Sequence, residues 1–254
     1  MKEFLDLPVN ISTHGPELDT MLGLVHWLML VLFVGWGIFF IYTLIRFRQS
    51  KNPKASYTGV KSKISTYVEG GVVVVEAILL IAFAIPIWAE IMTEHPEEDA
   101  AVTINVVAQQ FAWNVHYPGP DGVFGKRDIG LVNEETNPLG LDRSDSSAFD
   151  DIVTLNQLHF PVNKPVLINL SSKDVIHSFS LNEMRVKQDA IPGMSIRVSF
   201  EAVQTGQHEI ACAQLCGLGH YRMRGFYTVE TEEEFNSWLD EQSELLIDSD
   251  EEVW

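Results

Sequence analysis

Basic residues are scarce in this chain: 17 lysines and arginines stand against 35 aspartates and glutamates, a formal net charge of −18 over 254 residues. That balance excludes the basic stripe a nucleic-acid binder needs, so no nucleic-acid partner is expected. Cysteine is scarcer still, with Cys212 and Cys216 alone. One pair excludes a disulfide framework, and the lack of any C-x-x-C-H excludes a covalently attached c-type haem. Residues 21–45 contain no Asp, Glu, Lys or Arg at all. The basic n-region of a signal peptide is missing, and no small-residue cleavage pattern is evident between this run and the polar stretch that follows, so the run is read as a retained element.

What is present divides into two halves that a mean hydropathy of +0.06 conceals. Residues 21–45 are long enough to cross a hydrocarbon core of ~30 Å. Residues 70–89 form a second apolar run, broken only by Glu76, with Trp88 near its end where an interfacial aromatic belongs. Their length excludes the core helix of a soluble protein. Arg46, Arg48, Lys51, Lys54, Lys61 and Lys63 crowd the connection, whereas residues 1–20 hold one lysine against four acids. Positive charge marks the cytoplasmic or matrix side. The expectation is a lipid-embedded, two-pass hairpin over 21–92 with its basic loop at 46–66 on that side. Residues 1–20 and the rest of the chain then face the periplasmic or intermembrane-space side. Glu76 lies where an ionised carboxylate is costly and is expected to point at a partner subunit.

From residue 93 the pattern changes to short alternating runs, at 103–108, 111–117, 165–170, 195–200, 208–213 and 225–229. Such runs, separated by Gly, Pro, Asn and Asp, predict an all-β sandwich over 93–230. Residues 119–150 are rich in Gly, Asp, Ser and Asn and read as a long surface insertion, a contact or lid element. The acidic segment 231–254 spaces Phe235, Trp238 and Leu239 for one face of a short C-terminal helix with a frayed end.

The chemistry concentrates in C-A-Q-L-C-G-L-G-H-Y-R-M at 212–223, with His177 upstream in D-V-I-H-S-F. Thiolate and thioether are soft donors that favour copper, and a His/Cys/Met set serves electron transfer rather than hydrolysis. Zinc seldom takes methionine. A mononuclear blue-copper centre needs one cysteine, whereas two thiolates can bridge two coppers. The expected site has Cys212 and Cys216 bridging, His177 and His220 capping one copper each, and Met223 with the backbone carbonyl of Gln214 completing the shells. A structural disulfide is the alternative, but it would close a three-residue loop of little entropic value and leave both histidines and Met223 unexplained. His14, His26, His95, His116, His159 and His208 are read as surface or packing residues.

C-x3-C-x3-H-x2-M, a histidine 35 residues before the first cysteine, K-Q-D-A-I-P-G at 187–193 and the membrane hairpin together resemble subunit II of the haem-copper cytochrome c oxidases. The resemblance implies a cupredoxin sandwich carrying the dinuclear copper A centre. It also implies a cytochrome c donor and a haem-bearing catalytic subunit that reduces dioxygen to water while pumping protons, with haem only in that partner. Phe111 and Trp113 stand in the family's electron-input stretch, Phe111 where tryptophan is usual. Gln214 occupies the position of a glutamate that helps hold magnesium; a neutral amide is a poor hard-cation ligand, which leaves magnesium open. Asp174 and Asp189 align with acidic positions beside the ligands. Glu69, 17 residues before Pro86, matches a glutamate at the mouth of a proton-uptake pathway, against a plain interfacial charge. A nitric-oxide-reducing relative is the alternative setting, and a membrane-anchored copper chaperone a third; the β pattern and Met223 weigh against the chaperone.

Overall fold

The computed structural model describes residues 6–55, 57–58 and 62–251. Lys61 of the basic loop, Lys2 and Glu3 near the amino end, and Glu252 of the acidic tail lie outside the described residues. The chain divides into two units, one of membrane-length helices and one of β-sheet.

Helix α1 is Gly15–Arg46 and helix α2 is Ile64–Thr93, 32 and 30 residues long. At 1.5 Å per residue both exceed the hydrocarbon core, and a helix is the form that satisfies every backbone group within its own segment. Both extend beyond the apolar runs that marked them, so Glu69 sits in the second turn of α2 rather than at its start. The α2 ladder widens to a π-turn at Leu80–Ala84. Pro86 explains this: it lacks an N–H, and its ring would collide with the Ala82 carbonyl in a regular helix. At the other end of the hairpin, Asn52 Nδ2 donates to the Arg46 carbonyl at 2.6 Å and closes the last turn of α1.

Among the described residues the β unit contains ten strands in two sheets. They are β1 Val102–Gln109, β2 Ala112–Tyr117, β3 Ile152–Leu155, β4 Gln157–Pro161, β5 Pro165–Ser172, β6 His177–Leu181, β7 Val186–Ala190, β8 Ile196–Glu201, β9 Gly206–Cys212 and β10 Arg224–Glu230. The sheets run β3-β2-β1-β5-β8 and β4-β10-β9-β6-β7. Trp113, Phe160, Phe179, Ile168 and Tyr227 fill the space between them and are fully buried. Burying such rings is what holds a sandwich together; truncating one to alanine costs about 3–5 kcal/mol. Six of the strands were visible as alternating runs. Strands β4, β6 and β7 were not, because polar residues such as Gln157, His177, Lys187 and Asp189 interrupt their apolar pattern, nor was β3, which is only four residues long.

Residues 8–16 belong to the β unit. Ile11 is 1% exposed within its core. Its N–H donates to the Glu183 carbonyl at 2.9 Å and its carbonyl accepts from Val203 N–H at 2.8 Å. The insertion is fastened down as well. Asp151 Oδ2 lies 2.6 Å from His116 Nε2 with both side chains fully buried, and accepts from Gly125 N–H at 2.9 Å. Arg143 donates to the carbonyls of Ala148 and Asp151, and Leu139 and Leu141 pack on Val107 of β1. After β10, helix α3 (Glu232–Glu251) starts in a reciprocal cap. Thr231 N–H donates to Glu234 Oε2, and Glu234 N–H donates to Thr231 Oγ1. Its Phe235 is buried and its Trp238 stacks on His159 at 4.0 Å. The fold expected from the sequence, two apolar helices, a sandwich and a C-terminal helix, is the fold found.

Candidate metal centre

Register brings the donors together. Strands β6 and β9 are antiparallel with Phe179 opposite Cys212, so His177 at the start of one and Cys212 at the end of the other meet at the same sheet edge. Strand β10 pairs Arg224 with Ala211, which sets Met223 beside Cys212 at that edge. The turn His220–Arg222 closes the loop between them.

The side chains then form a chain of contacts. Cys212 Sγ is 4.0 Å from His177 Nδ1 and 3.7 Å from Cys216 Sγ. Cys216 Sγ is 3.6 Å from His220 Nδ1 and 3.7 Å from Met223 Sδ. The Gln214 carbonyl oxygen lies 3.2 Å from Cys212 Sγ. Donors that share a small ion at roughly 2.0–2.3 Å sit about 3–4 Å from one another, so these spacings fit ligation without rearrangement. Both cysteines are free thiols rather than a disulfide. His177, Cys216 and Met223 are buried, which keeps bulk water from the centre.

Electrostatics distinguishes the two thiols. Burial opposes the Cys212 thiolate, but hydrogen bonds from His177 and from the backbone of Ser178 and Gln214 outweigh it and bring the thiol down to about 6. Burial and the neighbouring Cys212 thiolate push Cys216 up to about 11. Asp174 Oδ1 is 2.8 Å from His177 Nε2, which leaves Nδ1 as the atom directed at sulfur. Partial burial works against the Asp174 carboxylate. The bonds from His177 and from the N–H groups of Gln110 and Val175 outweigh it and hold the carboxyl below its ordinary range. His177 answers in the other direction: burial opposes its cation, but Cys212 and Asp174 raise it above the ordinary imidazole value.

The other candidates are placed differently. Asp189 is exposed on β7 opposite Ser178, and among the described residues no hydrogen bond joins its carboxylate to a ligand. Of the two residues expected at electron entry, Trp113 is 0% exposed and meets His177 edge-on at 6.2 Å, so it lies beneath the site. Phe111, half-buried in the turn between β1 and β2, covers the ligand loop instead. A Cβ on Gly219 would come within 2.4 Å of its ring, and one on Gly217 within 2.7 Å of Gln110 Nε2. Gln110 itself was not anticipated. Its Nε2 donates to the Cys216 carbonyl at 2.6 Å and its N–H to Asp174 at 2.7 Å, so one turn braces both halves of the site. The glycines at 217 and 219 were the available signal that another segment approaches closely here. Glu69 and Glu76 lie on α2, in the helical unit.

A family model described as cytochrome c oxidase subunit II, periplasmic domain, matches residues 102–229. The chain belongs to the cytochrome c oxidase subunit II family. An alternative cytochrome c oxidase subunit 2 from Bradyrhizobium diazoefficiens is 33% identical over 233 residues, covering 91% of this chain and 82% of the relative. Cytochrome c oxidase subunit 2 from Synechocystis sp. is 27% identical over 259 residues, covering 92% of this chain and 74% of that protein. Among solved structures, the periplasmic domain of subunit II from Bradyrhizobium japonicum is 30% identical, with a TM-score of 0.44, covering 60% of this chain and 99% of that one. This subunit II is therefore a membrane-anchored part of an oxidoreductase, a respiratory terminal oxidase, and works with other oxidase subunits. Its family implies copper, and His177, Cys212 and Cys216 offer donor atoms within 4.8 Å of one another. Neither the nitric-oxide nor the chaperone setting is favoured by these relatives.

Proposed function

We propose that this subunit receives electrons one at a time from a cytochrome c and passes them to a haem-bearing catalytic subunit that reduces dioxygen to water with proton pumping. Two copper ions would be held by the thiolates of Cys212 and Cys216 as bridges, His177 and His220 as caps, Met223, and the Gln214 carbonyl. The observation that carries this reading is the unbroken run of contacts from His177 through both sulfurs to His220 and Met223. Bound there, two coppers supply a one-electron store whose charge both metals share.

The chain's own residues do the rest. Asp174 holds the His177 ring in one tautomer, Gln110 ties the ligand loop to the opposite sheet, and the sandwich keeps both in place between turnovers. Every donor position belongs to the protein, which suits relay rather than oxygen chemistry. Leu215, Leu218 and Tyr221 stand 78, 97 and 86% exposed on the ligand loop, an apolar surface next to Phe111 where a partner's redox group can come close. The charge of −18 favours a basic donor through salt-sensitive steering. Gln214 brings an amide rather than a carboxylate, which leaves magnesium open.

Topology has its own support. Residues 8–14 precede α1 and pair with the sandwich that follows α2, which supports placing both on one side of the membrane and the basic loop on the other. We assign the sandwich to the periplasmic or intermembrane-space side. Glu69, near the basic-loop end of α2, is the proposed point of proton uptake. Electron paramagnetic resonance of the full chain in detergent, loaded with copper, tests the centre. One unpaired electron shared equally by two coppers is expected, and its loss in Cys216→Ser. A mononuclear blue-copper spectrum refutes it.

A further inference from the structure

Glu76 is the only Asp, Glu, Lys or Arg in the apolar run 70–89 of α2. From residue 70 it is six positions inward, about 9 Å along the axis, more than a helical turn below the basic-loop edge of the run. A glutamate side chain cannot bridge that depth to water. Ionisable groups held so deep face protein or a water-filled path, never lipid alone. None of the α2 residues is buried within this chain, so the group that meets Glu76 must come from another subunit of the oxidase.

Position on the helix narrows its role. Glu76 follows Glu69 by seven residues, about 10.5 Å and two turns less ~20°, so the two carboxyls share one stripe. Ser65 and Thr66 fall on the same stripe within an arc of about 100°, between the helix start and Glu69. The opposite side carries Tyr67, Val68, Gly71, Val75 and Ile78 and no charged residue. Polar groups on this stripe thus run from the basic-loop end to Glu76, with Val72 and Val73 between the two carboxyls, and beyond Glu76 the helix stays apolar until Glu90 and Thr93 at its far end.

We infer that Glu76 is a proton-carrying residue: its carboxyl takes a proton arriving along the Ser65, Thr66 and Glu69 line and gives it to an acceptor of the adjoining catalytic subunit. No net charge is left behind, because each proton released is replaced by one from the aqueous side. The inference rests on the proposed uptake at Glu69 and extends it by two turns into the membrane.

The test uses the assembled oxidase in detergent, with Glu76→Gln, Glu76→Asp and Glu69→Gln compared by pH-dye proton uptake, by turnover against pH, and by reduced-minus-oxidised infrared spectra in H2O and D2O. Glu76→Gln should assemble, slow proton uptake by about tenfold or more, and lose a deuterium-sensitive carboxyl band; Glu76→Asp should recover most of the rate. Normal uptake and an unchanged pH profile in Glu76→Gln overturn the inference, leaving a hydrogen-bonding role. If Glu69→Gln is slow while Glu76→Gln is normal, uptake at Glu69 stands and the extension falls. If Glu76→Gln is slow while Glu69→Gln is normal, Glu76 stands and the route reaches it from elsewhere. Should Glu76→Gln fail to assemble, the carboxyl band and uptake rate of Glu76→Asp decide: a shifted band with retained uptake supports the inference, and an unshifted one overturns it.

Discussion

Gly219→Ala is the sharpest probe of how the ligand loop is held. The added methyl would lie 2.4, 2.6 and 2.7 Å from Cδ2, Cγ and Cε2 of Phe111, well inside van der Waals contact. Gly219 is itself buried, and the Phe111 ring belongs to a turn already bound to Cys216 and Asp174 through Gln110, so the strain cannot be relieved by a simple rotamer change. Overpacking of this kind costs about 1–3 kcal/mol. Urea titration of the copper-loaded chain in detergent, followed through the metal chromophore, would register that loss as an earlier midpoint at unchanged slope. Phe111→Ala removes the obstacle, so adding Gly219→Ala to it should cost almost nothing. A cycle of the four proteins should therefore give a coupling of about 1 kcal/mol or more. Leu215→Ala, at an exposed neighbour, should stay within about 0.5 kcal/mol. A coupling below about 0.5 kcal/mol would refute the claim that Phe111 seats the loop.

Asp174→Asn should weaken copper binding about 10- to 100-fold by freeing the His177 ring, while Asp189→Asn leaves it unchanged; chelator competition measures both. At pH 7 a Cys212 thiol near 6 is mostly thiolate and a Cys216 thiol near 11 is not, so loading the apo-site should release about one thiol proton, seen in weak buffer. As pH falls through 6, Cys212 protonates too, and His177, raised above the ordinary imidazole value, carries a proton the metal must also displace; release should rise above two protons and copper affinity should drop. Release that does not vary between pH 5 and 8 would contradict this order. Ile11→Ala should cost the sandwich about 2–5 kcal/mol, read as loss of hydrogen-exchange protection at Val203 N–H; wild-type protection there would refute the packing of residues 8–16.

The convergence of these side chains was legible because few residue types offer soft donors, and all of them but His177 lie on one short loop. Alternation exposed the strands whose inner and outer faces differ, such as Ile196–Glu201 and Arg224–Glu230. It failed for His177–Leu181, buried along its whole length although three of its residues are polar, and for Val186–Ala190, whose Lys187 and Asp189 are exposed. Trp113 and Phe111 lie two residues apart, yet only the turn geometry separates a buried ring from one that covers the loop. Gln110 was illegible for a different reason: its partner, the Cys216 carbonyl, is 106 positions away, and no local pattern marks a backbone acceptor.

The clasp of residues 8–16 on Glu183 and Val203 bears on how the protein is made. Synthesis proceeds from the amino end, so on the proposed topology Ile11 waits across the bilayer while the ribosome has yet to produce the strands that enclose it. Export of the head of the chain and completion of the sandwich are thus separate events, and the earlier one leaves an unpaired edge that a late-arriving segment closes.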